Sequence, residues 1–308
     1  MNKFFSYSGI YIGKMTEEAS NCSNNKGINF LLKDNYQEAL NSFDKAISEN
    51  PKNDLAYFNR AITFERMGEH KDALKNYDQS IKLNNKFEKA FYNRGLLYYK
   101  KKKFSKSLID FSNAIKINKN FADAYYNRAL VYDQIKDYDA AFNDYSKVIE
   151  LKPKHSSSFN NRGILRSKLK EYSLAIQDFS RAIELSPNFA SPYSNRGIAK
   201  SKVNDYQGAI DDYNKAIKFM PNFGSAFFNR GVARRKSKDY LKAIQDFTKA
   251  IEINPKHSLS YDNRSLCRMK LNDKEGACKD MKMAASLGLK KRIDWLNSSK
   301  GAWCKNMN

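Results

Sequence analysis

Phe91-Tyr92-Asn93-Arg94-Gly95 is the stretch on which the reading of this chain turns, because its Asn-Arg pair returns at one fixed interval. The pair stands at Asn59-Arg60, Asn93-Arg94, Asn127-Arg128, Asn161-Arg162, Asn195-Arg196, Asn229-Arg230 and Asn263-Arg264, each step being 34 residues. One step further back lies Asn25-Lys26-Gly27, which keeps the amide and the charge. A strict period of about 20–50 residues marks a repeat array, in which each unit buries its apolar face by stacking on a neighbour. Eight units follow: 20–53, 54–87, 88–121, 122–155, 156–189, 190–223, 224–257 and 258–289, with a flanking segment 1–19 before them and residues 290–308 after. No linker interrupts the register, so one elongated domain is expected.

Counting each unit from five residues before its Asn, position 8 is small (Gly27, Ala61, Gly95, Ala129, Gly163, Gly197, Gly231, Ser265) and so is position 20 (Ala39, Ala73, Ser107, Ala141, Ala175, Ala209, Ala243, Ala277). Position 24 is aromatic in every unit but the last, which has Met281, and position 27 is small in every unit but the fourth, which has Val148. Positions 20, 24 and 27 share one face of a 3.6-residue helix, and small residues opposite let a second helix approach while the aromatic fills the gap. Each unit therefore reads as a helical hairpin. Its turn falls at positions 15–16, where Asp137, Asp205, Asp239 and Asp273 can cap the second helix. Pro51, Pro153, Pro187, Pro221 and Pro255 at position 32 stop that helix, and Asn85 and Lys119 leave the stop to context in two units.

With an aromatic at position 4 added (Tyr57, Phe91, Tyr125, Phe159, Tyr193, Phe227, Tyr261), the pattern resembles the tetratricopeptide repeat (TPR) over residues 20–289. The resemblance implies an all-α fold, an α-solenoid that winds TPR hairpins into a right-handed superhelix, with first helices lining a concave groove. Residues 290–298, with Ile293, Trp295 and Leu296, read as a C-terminal capping helix over the last hairpin, followed by a short tail. Function does not follow from fold.

Arginine at position 7 departs from the leucine usual in the family, and Asp stands at position 23 in units three to eight (Asp110, Asp144, Asp178, Asp212, Asp246, Asp280). These two columns predict an Arg–Asp clamp between the first and second helices of units three to eight. Position 6 is Asn in all eight units (Asn25, Asn59, Asn93, Asn127, Asn161, Asn195, Asn229, Asn263) although Asn is a mediocre helix former. On the resembled fold position 6 faces the groove, where an amide donor and acceptor match the main chain of an extended peptide, as in the asparagine ladders of other solenoids. The competing role is a hydrogen bond to a neighbouring repeat. Phe58, Tyr92, Tyr126 and Tyr99 suggest an aromatic zone in units two to four. Arg166, Lys168, Lys200, Lys202, Arg234, Lys236, Arg268 and Lys270, at positions 11 and 13 of units five to eight, suggest a basic stripe. The competing role there is attraction of cations to a helix C-terminus.

These features predict a non-enzymatic interaction scaffold, or adaptor, that holds an extended and partly acidic protein segment or peptide. The alternative is a basic solenoid binding nucleic acid, RNA above all, through Arg166, Lys168, Lys200, Lys202, Arg234 and Lys236, or resting its lysines on an anionic membrane surface. The chain has 55 Lys+Arg against 33 Asp+Glu, a formal charge of +22, which favours anionic partners in either case. The family's carboxylate clamp needs Lys at position 5 and Asn at position 9. Here position 5 is never Lys and position 9 is Ile28, Ile62, Leu96, Leu130, Ile164, Ile198, Val232 and Leu266. No phosphate loop or catalytic set is present in the sequence, so no small-molecule substrate and no cofactor are expected. Cys22, Cys267, Cys278 and Cys304 lack metal-ligand spacing; Cys278 and Cys304 could pair, but packing in a reduced, cytoplasmic setting is expected of them. No apolar run reaches the roughly 20 residues of a membrane span. The opening stretch from Phe4 to Ile12 has some character of a signal sequence, which Ser6, Ser8 and Gly9 dilute, and no small-x-small cleavage site follows before Glu17.

Overall fold

The computed structural model describes residues 22–305, and the expected flanking segment 1–19 lies outside the described residues. Its helices fall into two compact units, one ending at Pro153 and one beginning at Lys154, where the sequence register suggests a single domain. The first unit holds four hairpins: α1 (Cys22–Leu32) with α2 (Tyr36–Glu49), α3 (Asp54–Met67) with α4 (His70–Leu83), α5 (Glu88–Lys100) with α6 (Phe104–Ile117), and α7 (Ala122–Ile135) with α8 (Tyr138–Leu151). The second holds four more: α9 (Ser156–Lys168) with α10 (Tyr172–Leu185), α11 (Ala190–Lys202) with α12 (Tyr206–Phe219), α13 (Gly224–Lys236) with α14 (Tyr240–Ile253), and α15 (Ser258–Lys270) with α16 (Lys274–Ser286). It ends in α17 (Lys290–Leu296), a 3-10 turn (Ser299–Gly301) and α18 (Ala302–Lys305). There is no strand among the described residues. The described residues are all-α, an α-solenoid of tandem helical hairpins.

Each hairpin closes through the contact that the small and aromatic columns predict. A Cβ added to Gly163 would lie 2.8 Å from the Phe179 ring, which occupies the space that the glycine leaves open. The position-24 aromatics Phe43, Tyr77, Phe111, Tyr145, Phe179, Tyr213 and Phe247 are all buried. In the first unit Phe43 and Tyr77 join Leu31, Phe58, Ile62 and Leu97 in one apolar cluster, and Phe111 joins Tyr92 and Val131 in another. Burying such a side chain contributes about 1.5–3 kcal/mol each.

The turns are equally regular. Position 15 is left-handed in every repeat: Asp34, Gly68, Lys102, Lys136, Lys170, Asn204, Lys238 and Asn272 all have positive φ. The next residue caps the second helix where it is Asp: Asp137, Asp205, Asp239 and Asp273 accept from the backbone N–H three residues on. The second helix ends at position 30 in the first seven repeats, whether or not Pro stands at position 32. At Asn84 and Asn118, where Pro is missing, the chain turns extended and its N–H closes on Ser80 and Ala114 respectively, so the stop does not need the ring.

The C-terminal cap is held by charge rather than by the expected apolar face. Arg292 is buried and pairs with buried Asp262 of α15, to which Lys291 adds a contact of 2.5 Å, while Ile293 is 39% exposed. Trp295 meets Trp303 edge to face at 6.0 Å. Cys278 and Cys304 form a disulfide that ties α16 to α18, which corrects the expectation that both merely pack in reduced form.

Candidate functional site

The first helix of each repeat carries two opposed functional faces, and they have to be separated before any site can be assigned. One face holds positions 4, 7 and 11. In repeats three to eight Arg at position 7 grips Asp at position 23 with two nitrogens: Arg162 Nε and Nη2 lie 3.0 and 2.7 Å from the Asp178 oxygens, and Arg196 makes the same fork on Asp212. The ring at position 4 lies beneath the guanidinium, as with Tyr125 under Arg128 at 5.5 Å. The remaining nitrogen, Nη1, reaches 16 residues back to the second helix of the preceding repeat: Asp78 for Arg94, Ser112 for Arg128, Ser180 for Arg196, Asn214 for Arg230 and Thr248 for Arg264. The arginine thus joins three helices and couples neighbouring repeats as well as closing its own.

Position 11 belongs to this same clamp in the second unit. Arg166, Lys200, Arg234 and Arg268 contact Asp178, Asp212, Asp246 and Asp280 at 2.9, 2.9, 2.9 and 3.0 Å. These four side chains are therefore committed to buried carboxylates, a correction to the continuous basic stripe. In the first unit the same clamp is desolvated. Burial raises the Asp110 and Asp144 carboxyls against the pull of Arg94 and Arg128. Burial also opposes the charge of Arg94, yet its bonds to Asp110 and Asp78 leave the guanidinium raised and firmly protonated.

The opposite face carries positions 2, 6, 9 and 13, spaced 4, 3 and 4 residues apart and hence aligned on one side of a helix. In the second unit these are Ser157-Asn161-Ile164-Lys168, Ser191-Asn195-Ile198-Lys202, Ser225-Asn229-Val232-Lys236 and Leu259-Asn263-Leu266-Lys270. All sixteen are at least partly exposed, and the four lysines are exposed. Asn229 makes no side-chain hydrogen bond among the described residues, whereas Asn263 donates to its own helix at Leu259.

The asparagine column divides along its length. Asn59 and Asn93 are fully buried, which corrects the expectation that they face a groove. Asn59 donates to Asn24 at 3.1 Å, Asn127 to the Tyr92 hydroxyl at 2.9 Å and Asn195 to Asn160 at 2.9 Å. In each case position 6 of one repeat binds position 5 of the one before. Asn93 follows Phe58 and turns instead to the Tyr77 hydroxyl, which donates to Glu65. Asn25 and Asn161 remain half-buried.

The aromatic zone is corrected more fully. Phe58 and Tyr92 are buried because position 5 packs against position 34 of its own repeat, Phe58 on Phe87 at 4.7 Å and Tyr92 on Phe121 at 4.9 Å. Tyr99 is buried against Phe104, and Tyr126 is half-buried against Tyr145. These rings are core. Cys267 is buried as well, and desolvation pushes its thiol up to about 11, which favours the protonated form. No cluster of His, Cys, Asp and Glu suited to a metal ion occurs among the described residues. None of the described helices is long and apolar enough to cross a membrane.

Stacked hairpins with a small-to-aromatic lock and a capped left-handed turn define a helical-repeat protein. The chain belongs to the tetratricopeptide repeat family: the family's repeat model matches residues 88–121, 122–155, 156–189 and 224–257, and related TPR models match 66–102 and 42–75. A search of curated proteins gives no match. Among solved structures it resembles the C-terminal part of a TPR repeat-containing protein from Cytophaga hutchinsonii (19% identity, 77% of this chain and 97% of that one, TM-score 0.64). It also resembles a tetratricopeptide repeat protein from Parabacteroides merdae (22% identity, 80% and 98%, TM-score 0.57) and Pseudomonas aeruginosa pilF (19%, 72% and 97%, TM-score 0.58). At such identities the likeness is one of fold, and the TPR fold is consistent with a role in protein interaction.

Proposed function

We propose that the protein is a non-enzymatic scaffold that holds an extended, partly acidic polypeptide against the first helices of its second unit. The observation that carries this reading is the fourfold recurrence of one exposed stripe, a small or apolar residue, an Asn, an aliphatic and a Lys, from Ser157 to Lys270. An amide supplies one donor and one acceptor for a peptide main chain, the aliphatic gives side chains an apolar footing, and the lysine attracts carboxylates. Position 11 takes no part, because its cations already answer buried aspartates.

The same commitment counts against phosphate binding by the six cations from Arg166 to Lys236, since Arg166, Lys200 and Arg234 are paired. Fluorescence anisotropy with a labelled Glu- and Gly-rich peptide tests the reading. Affinity should fall with added salt and fall further in Asn229→Ala. A titration indifferent to both would reject it, and tighter retention of mixed-sequence RNA than of the peptide would favour the nucleic-acid alternative.

A further inference from the structure

The clamp of repeat two is incomplete, and that place opens on a cavity. In repeat two Asn76 stands where the six later repeats have Asp. Its Oδ1 accepts from Arg60 Nε at 2.7 Å, but its Nδ2 turns away to the Asp72 carbonyl at 2.8 Å. An amide has one acceptor atom where a carboxylate has two. Arg60 Nη1 still reaches back to Asp44 at 2.5 Å, and the Tyr57 ring lies under the guanidinium at 5.3 Å. Arg60 Nη2, which takes the second carboxylate oxygen in the complete clamps, has no hydrogen-bond partner among the described residues, and it is not among their buried unpaired atoms.

Beside it lies an open cleft of about 370 Å³ lined by Arg60, Asn76, Phe64, Lys75, Asp44 and Asp72. The two aspartates are at the rim, 59% and 43% exposed, and already pair with Arg60 Nη1 and with Lys75 at 3.0 Å. What the cleft leaves open is the second acceptor atom that Asp supplies elsewhere, the one facing Arg60 Nη2, since Asp44 already balances the charge of Arg60.

We propose that this cleft accepts a carboxylate in trans, the side chain of an Asp or Glu in a bound polypeptide, which takes the acceptor role that Asn76 cannot fill. Arg60 Nη2 donates to it, and Lys75, 66% exposed and on a flexible stem, swings to share it. The Phe64 and Tyr57 rings wall the methylene groups of the incoming side chain. The cleft is larger than a carboxylate alone and open at its mouth, so the chain bearing that group can run across it. This site lies in the first unit and does not depend on the stripe of the second.

The test is the Arg60 side-chain N–H resonance, followed by NMR on the full chain during addition of acetyl-Gly-Gly-Glu-Gly-Gly-amide, its Gln counterpart, or sodium acetate. The Glu peptide should shift the resonance saturably, and the Gln peptide should bind about tenfold more weakly or less. Asn76→Asp should remove the response and raise the melting temperature, since six other repeats fold with that residue. Equal response to the Gln peptide, or a response that survives in Asn76→Asp, would overturn the proposal. Acetate binding as tightly as the Glu peptide would overturn the polypeptide source.

Discussion

Asp178 shows how much one side chain can carry. It is 4% exposed and holds both Arg162 and Arg166, so Asp178→Ala strands two guanidinium groups against the hairpin. The expected loss is about 3–5 kcal/mol, the cost of breaking a buried pair. Asp44 also binds an arginine, Arg60, but from a site 59% exposed, and Asp44→Ala should cost less than about 1 kcal/mol. Chemical denaturation of the two variants checks the contrast; equal effects would mean that the clamp is not desolvated. Glu65 offers a second test. Burial raises its carboxyl, while the Tyr77 hydroxyl and Lys100 pull the other way. Folding therefore favours the protonated form: the stability associated with it is complete below the unfolded-state value and is lost as pH rises through the higher folded-state value. Melting of Glu65→Gln should be less pH-dependent than that of the parent chain as pH rises from the unfolded-state value through the higher folded-state one.

At the scale of the hairpin the sequence was most legible, because the decisive contacts lie within one 34-residue unit. The small residue at position 8, the aromatic at 24, the turn at 15 and the Asp cap at 16 each follow from helix geometry alone. What could not be read is which side chains from elsewhere along the chain cover a given position. Position 5 appears as a free aromatic on a first helix until Phe87 and Phe121 cover it. The asparagine column likewise hides that Asn59, Asn127 and Asn195 serve the preceding repeat, a partnership 35 residues apart. The change from Phe64, Tyr98 and Tyr132 to Arg and Lys at position 11 was visible, but the carboxylate it answers sits on the other helix of the hairpin. The turn makes its own prediction. Lys136 has φ 67°, a conformation that costs a non-glycine residue about 1–2 kcal/mol, partly offset by the entropy of a glycine. Lys136→Gly should raise the melting temperature by the equivalent of about 0.5–1 kcal/mol, and a decrease would show that the lysine side chain holds the turn.

For the molecule, the account rests on a division of labour between the two faces of each first helix in the second unit. Positions 7 and 11 hold the array together; on the opposite face the lysines at position 13 are exposed, while Asn195 and Asn263 at position 6 already donate to Asn160 and Leu259. The formal charge of +22 already counts each clamp Asp against a cation, and the lysines at position 13 are among the exposed cations. The most direct test measures acidic-peptide affinity and melting temperature side by side in two double variants. Lys202→Glu with Lys236→Glu should abolish binding and leave the melting temperature close to that of the parent, whereas Lys200→Gln with Arg234→Gln should lower the melting temperature and leave affinity within about twofold. Loss of binding in the second pair with none in the first would contradict the account.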